Sequence, residues 1–224
     1  MKLSRSKIEL YFDCPKCFYV DVVQKIGRPS GFPLTLNNAV DLLMKREFDS
    51  YREKQVQHPI QLANNSDYLP ASDARLEAWR DPFTGGLSYY DTKRDKTYFG
   101  AIDDLWVDSA GNYAVVDYKA TAGKVAVTSL PTWAESYKRQ LAFYAWLLKN
   151  NGLPMGKEGF FVYATADTNR TMFNKSLEFD INLIAIELDD SWIEPVLDEI
   201  EEVLAGNEAP PSSKQCKFCR YKNS

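Results

Sequence analysis

Two cysteine pairs, one near each end of the chain, constrain the fold more than any other feature of the sequence. Cys14 and Cys17 lie in CPKC and Cys216 and Cys219 lie in CKFC, and these are all four cysteines among the 224 residues. A spacing of two residues lets both sulfurs of a pair bind one ion. In a reducing compartment, thiols with this spacing bind metal more often than they form disulfides. We therefore expect a shared metal site that joins the two ends of the chain.

Two other interpretations of the cysteines stay open. They are either two separate redox or disulfide pairs, or thiols that bind nothing. A thiol redox protein would need independently reactive pairs, and it would leave the polar residues in the centre of the sequence without a role. A shared metal site, in contrast, couples ion binding to folding, so the cysteines would contribute to stability whatever else the protein does.

Length and composition fit one globular domain with a sizeable core. Hydrophobic residues make up 45% of the chain and charged residues 26%, which is typical of soluble proteins. No apolar run approaches the roughly 18 residues of a transmembrane helix, and MKLSRSKIELYF lacks the apolar stretch of a signal peptide. We expect a cytoplasmic protein with no membrane association. The expected organisation is a single domain over 1–224, in which 1–30 and 205–224 form a cysteine-bearing subdomain.

The periodicity of apolar residues predicts a mixed α/β fold with one sheet flanked by helices. Helical spacing covers 4–12, 36–52, the segment TWAESYKRQLAFYAWLLKNNG and a final segment that starts near Ser191. Strand patterns cover 97–107, 113–119, GFFVYAT and one or two segments within 176–188. In the second helix, Leu36, Val40, Leu43 and Phe48 mark the expected buried face. The pattern of residues 55–95 predicts no definite element.

Two acids and a lysine lie close together on the predicted hairpin. Asp117 ends the buried-type run YAVV, Lys119 follows on the same strand face, and Asp103 lies on the neighbouring strand. Two carboxylates with the backbone carbonyl of Tyr118 suit a hard divalent cation. Such an ion polarises a phosphoryl oxygen and lowers the pKa of bound water, and Lys119 would orient that water or offset growing charge. The alternative is a salt bridge on a solvated strand face.

The following helix adds two polar residues. Gln140 and Tyr144 are four positions apart, so both side chains can point from one helix face towards the hairpin. The alternatives are core packing for Tyr144 and exposure to solvent for Gln140.

Three ordered motifs, GAIDDLW, VVDYKA and QLAFYAWLL, resemble the PD-(D/E)XK nuclease superfamily. The resemblance is to its RecB-like branch, which includes the CRISPR-associated RecB-type exonucleases. It implies a restriction-endonuclease-like mixed sheet flanked by helices. It implies that Asp103 and Asp117 bind Mg²⁺ or Mn²⁺, that Lys119 is the catalytic lysine, and that Gln140 and Tyr144 help to hold DNA and the active site. Asp104 is a rival for the first acid, although the family's spacing after glycine favours Asp103.

The function implied by this resemblance is metal-dependent hydrolysis of DNA, as an exonuclease in repair, recombination or CRISPR-type processing, alone or in a larger complex. Many RecB-like nucleases also carry a metal-binding histidine in the second helix. The single histidine here, His58, lies outside that helix, and we expect an ordinary loop residue. Asp41 occupies the equivalent place, with Glu47 as a less favoured substitute. The competing hypothesis is a catalytically inactive module that binds nucleic acid or a partner protein.

The cysteines also differ from the family pattern. Iron–sulfur members generally use one N-terminal and three C-terminal cysteines for a [4Fe–4S] cluster, whereas this chain has two and two. Four thiolates satisfy either a cluster or Zn²⁺. Paired Cys-x-x-Cys motifs are typical of zinc, and the resemblance favours the cluster, which is the structural cofactor that we expect.

Basic residues near the cysteines are candidates for binding DNA phosphates. The formal net charge is −4, so binding would depend on a local patch. Lys217 and Arg220 in the tail and Lys16 beside the first pair would form such a patch if the cysteines meet. The alternative is a solvated tail.

Overall fold

The computed structural model describes residues 1–29, 31, 34–83, 86–132 and 134–221, and within this last range the side chains of Arg220 and Tyr221 are not described. The predicted phosphate contact of Arg220 therefore lies outside the described residues.

The described residues form eight helices and eight strands. The helices are α1 (Arg5–Asp13), α2 (Pro15–Val22), α3 (Thr35–Lys54), α4 (Pro59–Ala63), α5 (Leu76–Arg80), α6 (Glu135–Asn150), α7 (Ile193–Ala205) and α8 (Lys217–Tyr221). The strands are β1 (Lys2–Ser4), β2 (Leu69–Pro70), β3 (Leu87–Asp91), β4 (Lys96–Gly100), β5 (Asp104–Val107), β6 (Tyr113–Gly123), β7 (Glu158–Asp167) and β8 (Phe179–Glu187).

Two compact units divide the chain. The terminal unit comprises Met1–Pro33, Ser88–Gly100 and Asp189–Ser224, and the central unit comprises Leu34–Leu87 and Ala101–Leu188. A three-stranded sheet has the order β1-β4-β3, and a five-stranded sheet has the order β2-β5-β6-β7-β8. The predicted mixed α/β class is confirmed, with two sheets instead of one. The expected single domain with its cysteine-bearing subdomain stays a prediction.

The five-stranded sheet of the central unit is mixed, and β6 lies at its middle. β6 pairs antiparallel with β5 and parallel with β7, and β8 runs antiparallel to β7. Because side chains alternate along a strand, Tyr118 packs with Phe48 of α3, whereas Phe161 lies near Tyr137 of α6. The sheet is therefore covered by α3 on one face and by α6 on the other. The polar residues of β6 are held between these layers.

The terminal unit is stabilised by α7 and by an ion-pair network. Ile193, Val196, Leu197 and Ile200 are buried on one side of α7, as the helical period predicts. Arg94 follows β3 and is almost fully buried, and its guanidinium pairs with three acids, Asp91, Glu194 and Asp198. A buried charge needs such partners, so we regard this network as structural.

The strand predicted over 97–107 is wrong as a single element. β4 ends at Gly100 and β5 begins at Asp104, and the two strands belong to different sheets. The backbone of the residues between them bonds to α5. The N–H of Ile102 donates to the carbonyl of Trp79 at 3.2 Å, and Nε of Arg80 donates to the carbonyl of Asp103 at 2.8 Å. Asp103 therefore stands just before β5, at the point where the chain enters the larger sheet.

The buried face predicted for α3 is also wrong in part. Phe48 is buried, but Leu36 and Leu43 are each 60% exposed. The side of α3 that contacts the sheet carries Met44 and Phe48 together with polar residues, which are Asn37, Asp41, Lys45 and Arg52. These polar groups find charged or backbone partners on the sheet, just before β5 or on α3 itself, which offsets the cost of their partial burial.

No helix in the described ranges is both long and apolar enough to pass through a membrane.

Candidate active site and cysteine centre

The first acid of the candidate active site caps a strand edge. The last pair between β5 and β6 joins Asp104 to Val116, so β6 continues beyond its partner. There the N–H of Tyr118 donates to Oδ2 of Asp103 at 3.0 Å. The N–H and C=O of one strand residue point to the same side, so the carbonyl of Tyr118 also points towards the side on which Asp103 lies. The carboxylate and the carbonyl predicted as metal ligands thus share one edge of β6.

The second acid, Asp117, is in contact with Lys119 and Gln140. Its side chain is only 3% exposed, and Nζ of Lys119 lies 2.5 Å from Oδ2. Nε2 of Gln140 donates to Oδ1 at 2.6 Å. A carboxylate in an apolar layer needs such partners to remain charged. The arrangement therefore holds Asp117 in a fixed position between β6 and α6.

The helix that carries Gln140, α6, also contacts Lys119. Lys119 lies 4.7 Å from the ring centroid of Tyr137 and 5.8 Å from that of Phe161, within the range of cation–π attraction. Tyr137 is one turn before Gln140 on α6, and the sequence analysis missed it. Tyr144 is one turn after Gln140 and is buried; its role stays a prediction.

A second lysine, Lys45, links two of the predicted acids. Its Nζ lies 2.8 Å from Oδ2 of Asp41 and 2.8 Å from Oδ1 of Asp103. The sequence offered one signal for this contact, because Asp41 and Lys45 are four positions apart on α3. The contact with Asp103 depends on how α3 packs against the sheet, which the sequence pattern does not reveal.

The electrostatics confirm that these groups act on one another. Burial, and next the charge of Asp103, raise the pKa of Asp41, while Lys45 and Lys119 oppose this shift. Burial tends to lower the pKa of Lys45, but Asp103 and Asp41 outweigh it and raise that pKa. The acids from α3 and from the start of β5 therefore share one electrostatic neighbourhood with both lysines.

The carboxylates do not converge as closely as metal ligands in a compact cage. Among the residues that the structure describes, the four cysteines are the one group of three or more potential ligands whose donor atoms all lie within 4.8 Å of one another. The acids are instead separated by ammonium groups. The donor types nevertheless fit Mg²⁺ or Mn²⁺, since these ions use one or two carboxylates and keep several waters.

Asp104, the rival for the first acid, has a different environment. It is fully buried, and its carboxylate accepts from the hydroxyl of Tyr118 at 2.6 Å, from Arg80 at 3.1 Å and from Arg52. Burial and the Asp104 charge raise the pKa of Tyr118 well above its usual value, so the phenol keeps its proton and donates it. These partners occupy the oxygens of Asp104 and indicate a structural role.

His58 is a buried helix cap, whereas an ordinary loop residue was expected. It is 7% exposed, and its Nδ1 accepts from the N–H of Ile60 at 3.1 Å at the start of α4. This fixes the proton on Nε2, which lies 2.9 Å from Glu47, and the ring stacks on Phe48 at 4.3 Å. Glu47 is thus engaged by His58, and Asp41 is the acid of α3 that faces the candidate site.

The four cysteines come together in the terminal unit, as predicted. The sulfur–sulfur distances are 3.8 Å for Cys14–Cys219, 3.6 Å for Cys17–Cys216 and 3.5 Å for Cys17–Cys219. The sequence analysis missed α2, in which Pro15 occupies the first turn after the N-cap residue Cys14. The first turn of α2 brings Cys17 to the same side as Cys14.

The thiols of this centre differ in proton affinity. Burial tends to raise the pKa of Cys14, but backbone N–H groups of Cys17 and Ser213 lower it to about 6. Burial and hydrogen bonds with the other three thiols raise the pKa of Cys219 to about 12. Nη2 of Arg28 also approaches Sγ of Cys216 at 3.6 Å. Because the thiolate is the form that binds metal, these donors favour ligation.

The predicted phosphate-binding residues are partly brought together. Lys16 and Lys217 both border one cavity beside the cysteines.

A family model described as the PD-(D/E)XK nuclease superfamily matches residues 2–224. No curated protein matches the chain.

Proposed function

Because the chain belongs to the PD-(D/E)XK nuclease superfamily, we propose that it hydrolyses phosphodiester bonds in DNA with a bound Mg²⁺ or Mn²⁺ ion. The observation that carries this proposal is the pair of contacts to Asp117. Lys119 and Gln140 both reach this buried carboxylate, at the strand edge where Asp103 caps Tyr118. A solvated salt bridge would not need a buried acid or a second donor from a helix.

In the proposed mechanism, Asp103, Asp117 and the carbonyl of Tyr118 hold the ion. When bound, the ion polarises a phosphoryl oxygen and lowers the pKa of a water molecule. Lys119 holds the attacking water in line and offsets the charge that develops on the phosphate. Gln140 keeps Asp117 in place, and Tyr144 supports α6 from the core. Asp41 extends the oxygen ligands on the α3 side.

One observation favours the inactive alternative. The ammonium of Lys45 bridges Asp41 and Asp103, and an ammonium between two carboxylates can satisfy them without a metal ion. An inactive module of this kind would bind DNA in a salt-sensitive way and hydrolyse none.

A nuclease assay separates the two candidates. Purified protein is incubated with Mg²⁺ or Mn²⁺ and with single- and double-stranded DNA, next to Lys119→Ala and Asp103→Asn variants. Asp180→Asn, an exposed acid on β8, is the matched control. We expect hydrolysis by the wild type and the control, and its loss in both site variants. If neither the wild type nor Lys119→Ala hydrolyses any of these substrates, the proposal is contradicted.

We further propose an exonuclease of the RecB-like branch that acts in repair, recombination or CRISPR-type processing, alone or within a complex in the cytoplasm. The motif order supports this assignment. Linear and circular forms of the same DNA test it, since an exonuclease degrades the linear form and leaves the circle intact. Degradation of closed circles would instead indicate an endonuclease.

For the cysteine centre we propose Zn²⁺ instead of the [4Fe–4S] cluster expected from the resemblance. Four thiolates at about 2.3 Å from one tetrahedral ion lie about 3.8 Å apart; three of the sulfur–sulfur distances here are 3.5 to 3.8 Å, and all of them lie within 4.8 Å. In a cluster each thiolate binds a different iron, so the sulfurs lie farther apart. Metal analysis and the visible spectrum of anaerobically purified protein test this. A brown protein with iron would contradict it, and a colourless one with one zinc per chain is expected.

A further inference from the structure

A cavity of about 500 Å³ lies in the terminal unit against the cysteine centre. This volume is in the range of sites for small ligands. Its walls are largely apolar and include Val20, Ile26 and Phe218, while Cys17 and Cys219 form part of the wall. The candidate active site does not use this cavity, because all of its residues belong to the central unit.

Two lysines at the cavity are available to a ligand. Lys16 and Lys217 both line it, and neither forms an ion pair with any residue in the described part of the chain. Arg28, the third cation there, is already engaged with Asp13 at 3.1 Å and with Cys216. Since ammonium groups bind phosphates as point charges, the two lysines favour an anionic ligand.

An aromatic ring stands beside these charges. Phe218 is 44% exposed, and the guanidinium of Arg28 lies 4.4 Å from its ring centroid. Arg28 thus orders the ring and leaves much of it accessible. Ile26, which follows α2 and lines the same cavity, is also exposed. A flat ring near unpaired cations is the combination with which proteins bind single-stranded nucleic acid, by stacking on bases and attracting phosphates.

We propose that this cavity binds an unpaired nucleotide of the DNA substrate, with the base against Phe218 and Ile26 and the adjacent phosphates near Lys16 and Lys217. This assignment rests on the proposed function, because it assumes that the ligand is DNA. Bases within a duplex are stacked and paired, so the cavity selects single-stranded DNA or frayed ends. A cavity that took an acidic peptide with an apolar side chain would show no preference for unpaired bases.

The cysteine centre supports the ring of this cavity. Phe218 lies between Cys216 and Cys219, so the ligation of both sulfurs determines where the ring points. Removal of the metal should therefore weaken single-strand binding even if the central unit stays folded. The metal would then have a role in recognising the substrate in addition to joining the chain ends.

Binding measurements without hydrolysis test the proposal. Fluorescence anisotropy in Ca²⁺ compares labelled single-stranded DNA with a blunt duplex. Loss of one stacked base costs about 1 to 3 kcal/mol, so we expect Phe218→Leu to weaken single-strand binding about 10-fold and blunt-duplex binding less than 2-fold. Phe218→Tyr, which keeps a flat ring, should retain the wild-type affinity. Phe83→Leu, at an exposed phenylalanine of the central unit, is the matched control and should have no effect.

The lysines give an independent measurement. The double change Lys16→Ala and Lys217→Ala removes two phosphate contacts, which should reduce the salt slope of single-strand binding by about 1.4. Lys157→Ala, at an exposed lysine outside the terminal unit, should leave the slope unchanged. Photocrosslinking with 5-iodouracil in the single strand should label the peptide that contains Phe218. Circular dichroism and metal content show whether each variant is folded.

The outcomes separate this inference from the proposed function. If the wild type hydrolyses DNA but Phe218→Leu binds single strands normally and the crosslink maps elsewhere, the cavity assignment fails alone. If binding depends on Phe218 but no substrate is hydrolysed, the nuclease proposal fails and the cavity assignment holds. Equal losses for single-stranded and duplex DNA, or displacement of the DNA by an acidic peptide rich in tryptophan, would overturn the cavity assignment.

Discussion

The cysteine centre and the carboxylate site are both sets of potential metal ligands, but they are held in opposite ways. The four sulfurs lie within 4.8 Å of one another. The acids at the candidate active site are all anionic oxygen donors, and close approach of like charges is unfavourable. Lys45 and Lys119 separate and neutralise them. The sulfurs therefore form one compact group, whereas the carboxylates lie beside lysines that offset their charge.

The two sets also differ in where their members come from. Cys17 and Cys216 are 199 positions apart, so a metal that they share closes a very long loop and constrains the unfolded chain. Asp103, Asp117 and Gln140 come from consecutive elements of the central unit. We infer that the cysteine centre contributes chiefly to stability and the carboxylate site chiefly to chemistry, and the following changes test that division.

Asp117→Asn should have the largest effect. The change removes the charge that binds the ion but keeps the size of the side chain, so we expect kcat to fall about 10³-fold or more. The fold should persist, because Gln140 still meets an oxygen at this position, and Tm should change by only a few degrees. Single-turnover kinetics and calorimetry check both results. Retention of activity within 10-fold of the wild type would show that Asp117 is not a metal ligand.

Cys216→Ser should show the reverse pattern. Loss of one thiolate weakens the closure of the chain, and we expect a cost of about 4 kcal/mol, similar to removal of a native cross-link. For a chain of this size that lowers Tm by about 12 °C. Hydrolysis of duplex DNA at low temperature should stay within a few-fold of the wild type. If Cys216→Ser has the same Tm as the wild type, and chelation removes all of the metal from this variant, the cysteine centre does not stabilise the protein.

Asp103 and Asp104 show how far the sequence could predict this site. The sequence could identify the strand-end acids, Lys119 and Gln140 as candidates because these residues lie at fixed spacings within recognisable motifs. The spacing alone did not explain why Asp103 faces the site while Asp104 is buried. That difference arises because the chain changes sheets at Gly100 and enters β5 at Asp104, a tertiary event that the continuous apolar pattern of 97–107 conceals.

The contribution of α3 was the least predictable part. Helical period favours an apolar buried face, so Leu36 and Leu43 were expected inside. The helix instead turns Asp41 and Lys45 towards the candidate site, where the ammonium of Lys45 pairs with both Asp41 and Asp103. A pattern of hydrophobic residues cannot identify a polar stripe that is buried because of its partners. Sites built from such charges therefore escape detection by periodicity.

Asp104→Asn should destabilise the protein without acting on the chemistry directly. It removes the fully buried carboxylate that Arg52 and Arg80 share and leaves them the partly exposed Asp49 in common, and we expect a cost of about 3 kcal/mol, or about 9 °C in Tm. The adjacent Asp103→Asn should instead abolish hydrolysis and change Tm little. Chemical denaturation of the two variants gives the comparison. Equal stability losses would mean that the two neighbouring acids do not have separate roles.

Lys45→Met tests whether counter-charge competes with the metal ion. Removing the ammonium between Asp41 and Asp103 should make these carboxylates more available, and we expect Mn²⁺ to bind about 5-fold more tightly, consistent with about 1 kcal/mol for a partly exposed ion pair. Isothermal titration with Mn²⁺ measures this directly. Lys138→Met, at an exposed lysine of α6 paired only with Glu135 in the described structure, is the control. Weaker binding in Lys45→Met would show that the lysine supports the metal site.

Tyr137→Leu should have the smallest effect and the most specific one. The ring lies 4.7 Å from the ammonium of Lys119, and a cation–π contact of this kind contributes about 0.5 to 1 kcal/mol at a partly exposed site. Its loss leaves Lys119 with Asp117 and the more distant ring of Phe161 as partners, so the ammonium should be less firmly positioned and orient the water less well. We expect kcat to fall about 3-fold, while KM for DNA and the affinity for Mn²⁺ remain unchanged. Tyr137→Phe keeps the ring and should retain full activity. If Tyr137→Leu and Tyr137→Phe lose activity equally, the phenol hydroxyl acts on Lys119 and the ring face does not. In that case α6 organises the carboxylate site through hydrogen bonds alone.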